Sequence, residues 1–215
     1  MLNKFFILFF FSPSIFLSQE KYQDFGTWTK INSDFKINKN TFFSNKIEFR
    51  TFDNSRQINQ IYTQFSLERK LNKKWSSTFA WRYKLENEEY SYIPSNRFHN
   101  DLSFQKKYSD IKLFIRLRSQ YHIHPIKLND LLERTRIKLQ YKINKKVRFY
   151  LYNELYFLMN RSVSNKYVKN RFGSGIKYEL NNKTNLELKY LKIVDMNVES
   201  PVSFNVIGFK ISNQF

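Results

Sequence analysis

The sequence predicts an all-β protein, an antiparallel up-and-down transmembrane β-barrel of 10 to 12 strands. Three observations carry this: strict two-residue alternation along most of the chain, short polar turns at nearly even spacing, and strands too long for an ordinary soluble sheet. The clearest alternation runs from Trp75 to Leu85. Trp75, Ser77, Phe79, Trp81, Tyr83 and Leu85 share one face, while Ser76, Thr78, Ala80, Arg82 and Lys84 share the other. A period of two gives a strand two chemically different sides. Ile111, Leu113, Ile115 and Leu117 likewise alternate with Lys112, Phe114, Arg116 and Arg118. Residues 134–143 and 147–157 repeat the split, with arginines and lysines kept off the more apolar face. Helical spacing would mix those cations into the apolar stripe.

Short turns fall at Asn38-Lys39-Asn40, Asn72-Lys73-Lys74, Tyr108-Ser109-Asp110, Asn144-Lys145-Lys146 and Asn181-Asn182-Lys183. Their centres are 34, 36, 36 and 37 residues apart, and the last lies 33 residues before Phe215. Longer connections are expected around 86–97, 122–131, 159–168 and 195–201, with a shorter one near 53–57. Short turns on one side and longer loops on the other match an outer-membrane barrel. Eleven segments are legible: 25–37, 41–53, 58–71, 75–85, 97–107, 111–121, 132–143, 147–158, 169–180, 184–194 and 202–215. Most run about 11 to 14 residues, enough for a tilted strand to cross a bilayer, whereas soluble strands more often have about five or six. Backbone groups in lipid must all be paired, so such strands close on themselves. Bacterial barrels usually have even strand numbers. Ten strands with segment 25–37 packed elsewhere, or twelve with one strand unrecognised, are both open, and ten is preferred.

Composition agrees. The 215 residues carry 19% aromatics, 26% charged residues, a mean hydropathy of −0.60, only four glycines and four prolines, and no cysteine. Such charge excludes a helical membrane protein, and such aromaticity excludes a disordered chain. The missing cysteines exclude disulfides and thiolate metal sites. The net charge of +19 is spread along the chain rather than gathered into a tail. That distribution argues against nucleic acid and for anionic outer-membrane lipid and lipopolysaccharide as surroundings.

Residues 1–18 have the three-part plan of a secretory signal. Lys4 supplies the positive head, Phe5 to Phe11 the apolar run, and Ser18-Gln19-Glu20 opens a polar stretch. Cleavage is expected after Ser18, with Ser14 as the alternative. Residues 19–215 would then form the barrel domain in the outer membrane of a Gram-negative bacterium.

Several pieces resemble an uncharacterised outer-membrane barrel family, domain-of-unknown-function family 2490. They are Asp24-Phe25-Gly26 with Trp28, Glu48-Phe49-Arg50, Trp81-Arg82-Tyr83, Arg116-Leu117-Arg118, Arg134-Thr135-Arg136, Asn153-Glu154-Leu155, and Asn170-Arg171-Phe172-Gly173 with Gly175 and Tyr178. His99-Asn100 departs from the histidine-arginine pair expected there. The family carries no established activity, so the resemblance implies fold and location only. Phe215, with Ile211 and Phe209 at even steps before it, looks like the terminal strand that barrel-assembly machinery recognises.

Any chemistry from within would use the polar face. By this register Arg50, Arg82, Arg116, Arg118, Arg136, Arg148 and Arg171 point inward, with Glu154 among the counter-charges alongside Glu48, Glu68, Asp101 and Glu179. The expected result is a self-paired charge network in a structural, monomeric barrel. A narrow anion-conducting pore is the alternative, since arginine rings favour anions. A lipid-modifying enzyme is a third, weaker reading. It would rest on His99 with Asp101 and a serine such as Ser119. His122 and His124 read as an exposed loop pair, no metal or cofactor site is expected, and Trp28, Trp75, Trp81, Tyr83, Tyr108, Tyr121 and Tyr178 are assigned to interface girdles.

Overall fold

In the computed structural model, which describes residues 22–88, 91–159 and 165–215, eleven strands form one closed barrel. They are β1 (Tyr22–Lys36), β2 (Thr41–Phe52), β3 (Gln57–Lys70), β4 (Trp75–Glu88), β5 (Ser91–Tyr108), β6 (Ile111–Ile123), β7 (Asp130–Lys142), β8 (Val147–Met159), β9 (Lys166–Glu179), β10 (Thr184–Asp195) and β11 (Val202–Gln214). The signal expected over residues 1–18 lies outside the described residues.

Each strand pairs antiparallel with its neighbours in sequence, except at the seam, where β1 pairs parallel with β11. The strand number is therefore neither ten nor twelve. Segment 25–37 is not packed elsewhere; it is the closing strand. An odd count obliges the first and last strands to run the same way, and such strands can bond only in parallel. The seam runs in unbroken register from Tyr22↔Val202 to Asp34↔Gln214. Beyond it Phe215 N–H donates to the Asp34 carbonyl at 2.8 Å, and the Phe215 ring stacks on Phe35 with centroids 5.0 Å apart.

Four of the five short turns are built alike. Asn38, Asn72, Asn144 and Asn181 each accept, through Oδ1, the backbone N–H groups two and three residues on, at 2.8–3.0 Å. An asparagine side chain that imitates a backbone turn removes the need for glycine or proline. The fifth turn places Ser109 in the left-handed region at φ 50°.

The chain's four glycines instead lie within strands. Gly173 and Gly175 face Tyr152 and Tyr150 across the β8–β9 ladder, and a Cβ on either would fall within 2.5 Å of a tyrosine atom. At the opposite end Asp24 accepts the N–H groups of Asp53 and Asn54 at 3.0 and 2.9 Å, holding a loop whose residues 53–55 have φ of 52–66°. A Cβ on Gly26 would sit 2.3 Å from the Thr51 carbonyl oxygen, so glycine is needed for that approach.

The outer face is apolar and uncovered: Phe79, Leu117, Leu188, Ile176 and Phe209 are among its exposed residues. Trp75, Trp81, Tyr83, Tyr108, Tyr121 and Tyr178 lie on that face as expected. Trp28 does not. It is buried inside, in an apolar cluster with Tyr150, Tyr152, Leu191, Ile193 and Val206 that lines one wall. The expected loop at 86–97 is also mostly strand, because β4 continues to Glu88 and β5 begins at Ser91 and carries Pro94.

Candidate functional site

Alternation delivers charged side chains from strands all around the barrel into the lumen, where they sort around a few carboxylates. Glu154 of β8 is fully buried, and four arginines surround it. Arg116 Nη2 lies 2.5 Å from Oε1 and Arg134 Nη2 3.0 Å, while Arg136 Nη2 lies 2.9 Å from Oε2 and Arg171 Nη1 3.6 Å. Glu48 of β2, also fully buried, holds Lys30 and Arg50 at 2.6 Å each and accepts the Tyr62 hydroxyl at 2.5 Å. Asp101 of β5 receives Arg118 through two bonds of 2.6 Å, with Arg116 3.7 Å away. Two parallel bonds from a planar fork are the strongest geometry for such a pair.

Toward the short turns, Arg148 meets Glu179 at 2.9 Å, and Glu187 takes Lys177 at 3.5 Å and the Tyr150 hydroxyl at 3.0 Å. Toward the longer loops, Glu86 takes Lys84 at 2.5 Å and His124 at 3.4 Å, and Lys127 pairs with Glu88. Aromatic faces carry part of the cationic load. Arg50 lies 3.7 Å over Trp28, Arg82 3.7 Å over Tyr62, Arg134 4.2 Å over Tyr156 and Arg136 4.6 Å over Tyr152. A guanidinium on a ring face is favoured by the ring quadrupole, more so when desolvated.

The carboxylates do not balance the cations. A cavity of about 490 Å³ is lined by sixteen lysine and arginine side chains and by only two carboxylates, Glu86 and Glu187. The ladder places arginine directly opposite arginine three times, Arg82 with Arg97, Arg116 with Arg136, and Arg118 with Arg134. Like charges directly opposite each other destabilise a strand pair, so each of these pairs depends on a shared anion or a ring.

Arg50, Arg82, Arg116, Arg118, Arg136, Arg148, Glu154 and Arg171 all face the lumen. Arg116, Arg136 and Arg171 converge with Glu154. Arg50 belongs to the Glu48 cluster, Arg118 to Asp101, and Arg148 stands apart near the turns. Sequence reasoning missed Lys30, Arg97, Arg134 and Glu187. The parity rule that marked Arg136 marks Arg134 equally, and Arg97 shares its parity with His99 and Asp101. Glu68 faces inward near the turns, outside these clusters.

Two histidine expectations change. His122 and His124 are not an exposed loop pair: His122 is buried with Nε2 3.2 Å from Ser95 Oγ, and His124 bonds Glu86. Glu86, Glu88 and His124 bring donor atoms within 4.8 Å of one another, a grouping the sequence did not reveal, yet Lys84 and Lys127 already hold both carboxylates. Ser119 cannot serve His99. It lies on the outer face, bonded to Glu133 at 3.0 Å, while His99 is buried inside.

Comparisons with known proteins bear on the family and the fold. The chain matches the family described as "Protein of unknown function (DUF2490)" over residues 25–199. It belongs to that family. No curated protein matches the sequence. Among solved structures it is similar to a NanC porin, with a TM-score of 0.53 and 14% identity over 78% of this chain and 84% of that one. The translocator domain of the autotransporter NalP from Neisseria meningitidis aligns at a TM-score of 0.40 and 10% identity, covering 77% of this chain and 71% of that one. The porin likeness agrees with the transmembrane barrel fold of this DUF2490 chain.

Proposed function

We propose that this chain resides in the outer membrane of a Gram-negative bacterium, as a monomeric barrel freed of a signal over residues 1–18, and that its lumen admits small anions. The observation that carries the reading is the cavity lining, sixteen cations against two carboxylates. Within low-dielectric walls, charge of one sign focuses the field and concentrates the opposite ion. Cationic rings are a recurrent means of anion selection in pores. Lipopolysaccharide would surround the outer rim, and the barrel-assembly machinery would read the terminal strand ending at Phe215.

A second reading, a sealed structural barrel, is favoured by the buried Glu154 and Glu48 clusters, which occupy part of the lumen with mutually bonded side chains, as in narrow barrels filled by side chains. Neither reading uses a reaction. Planar-bilayer recording across a potassium chloride gradient separates them. The anion reading expects a reversal potential set by chloride, moving toward zero when Arg82 and Lys138 are both changed to Gln. Absence of conductance would leave the sealed barrel.

A further inference from the structure

We propose that Arg97, with Arg82, Arg134 and Arg50, forms a binding site for a tetrahedral oxyanion, the phosphate-like group of a small multivalent solute. The proposal deepens the anion reading by naming the ligand's chemistry and the residues that hold it.

Arg97 differs from the other lumen arginines named here. Arg50, Arg116, Arg118, Arg134, Arg136, Arg148 and Arg171 each lie within 4.0 Å of a carboxylate. Arg82 has its Nε and Nη2 fixed on Gln64 Oε1 at 3.1 and 2.8 Å. Among the described residues Arg97 alone of these arginines has neither a carboxylate nor a side-chain amide as partner; its buried Nε meets no acceptor, as is also true of Arg116, Arg134, Arg136 and Arg171. The β4–β5 ladder sets Arg97 directly opposite another cation, Arg82. It lines the same cavity as Arg82, Arg134 and Arg50.

The three neighbours are already oriented. Arg82 rests on Tyr62 and Gln64, Arg134 on Tyr156, Gln120 and Glu154, and Arg50 on Trp28 and Glu48. Donors locked in place lose little freedom when a ligand arrives, which favours binding. Four guanidiniums lining one cavity, one of them lacking any anion, leave an excess of positive charge, and an oxyanion that accepts several charge-assisted bonds offsets it. Arg97 lies opposite His122, on the longer-loop side of Arg118 and Arg116 along β6. A solute entering from that end therefore meets Arg97 before the Glu154 cluster. The wall encloses the site, so the ligand arrives as a free solute rather than as a headgroup attached to the bilayer.

The test is isothermal titration of inorganic phosphate into the full barrel in neutral detergent. Folding of each variant is checked by the mobility difference between unheated and boiled samples. Wild type is expected to bind phosphate, Arg97→Gln at least tenfold more weakly, and Arg148→Gln within twofold of wild type. Arg97→Lys, which keeps the charge and loses the fork, is expected between wild type and Arg97→Gln, and it stands in if Arg97→Gln fails to fold. No binding by wild type, or equal loss in Arg97→Gln and Arg148→Gln, overturns the proposal. Phosphate binding without ionic current would retain this site and discard the pore. Chloride-selective current with unchanged phosphate affinity in Arg97→Gln would do the reverse.

Discussion

Glu154 shows how much one side chain can carry when the lumen around it is cationic. Its two oxygens take Arg116, Arg134, Arg136 and Arg171 from three other strands, so one anion relieves repulsion between neighbours that the ladder forces together. Breaking a buried pair by removing one partner typically costs about 3–5 kcal/mol, because the remaining charge stays buried and uncompensated. Glu154→Gln keeps the shape and removes the charge. It is expected to lower the unfolding free energy by at least about 3 kcal/mol, read as the urea midpoint of refolding into vesicles. Gly173 tests packing rather than charge. An added methyl would lie 2.3 Å from the Tyr152 ring, and overpacking of this kind costs about 1–3 kcal/mol. Gly173→Ala should show that loss in the same assay, with partial recovery on adding Tyr152→Phe only if the hydroxyl, 2.8 Å away, contributes to the clash.

At the scale of the element, the seam is the feature that departs from expectation. Parallel ladders are slightly weaker per residue than antiparallel ones. Here the register is continuous over thirteen pairs, and the Phe35–Phe215 stack closes its end. The sequence contains no cysteine, so a disulfide between introduced residues is unambiguous. Ile31→Cys with Ile211→Cys, which are direct partners, should cross-link on oxidation, whereas Ile31→Cys with Leu117→Cys should not.

Each strand was legible because its alternation is strong. Nothing in 22–36 reveals which strand lies beyond it, and the even-number habit of bacterial barrels pointed the wrong way. The four asparagine turns were found by spacing, but their shared side-chain geometry was not foreseen. Trp28 was misplaced because tryptophan is read as an interface residue by type. Its parity with Lys30 would have put it inside. Arg50, Arg116 and Glu154 could be assigned to a face, whereas their grouping could not, since it depends on which strands meet across the lumen.

The whole molecule joins a hydrocarbon-facing outside to an inside with a large positive excess, and the strand period alone enforces both. Among the described residues the only compensating charges that line the cavity are Glu86 and Glu187, with Glu48, Asp101 and Glu154 buried behind. On the proposed anion reading, the surplus on Lys46, Arg97, Lys138 and Lys210 falls to mobile anions. Lys138 points into the cavity, and its neighbour Leu139 points outward. The most direct measurement compares labelling rates of Lys138→Cys and Leu139→Cys in reconstituted vesicles, using thiol reagents of equal size and opposite charge. At Lys138→Cys the anionic reagent should react about tenfold or more faster than the cationic one, as expected for charge steering in a focused field. At Leu139→Cys neither should react appreciably. Equal labelling at the two positions, or a faster cationic reagent at Lys138→Cys, would contradict the account.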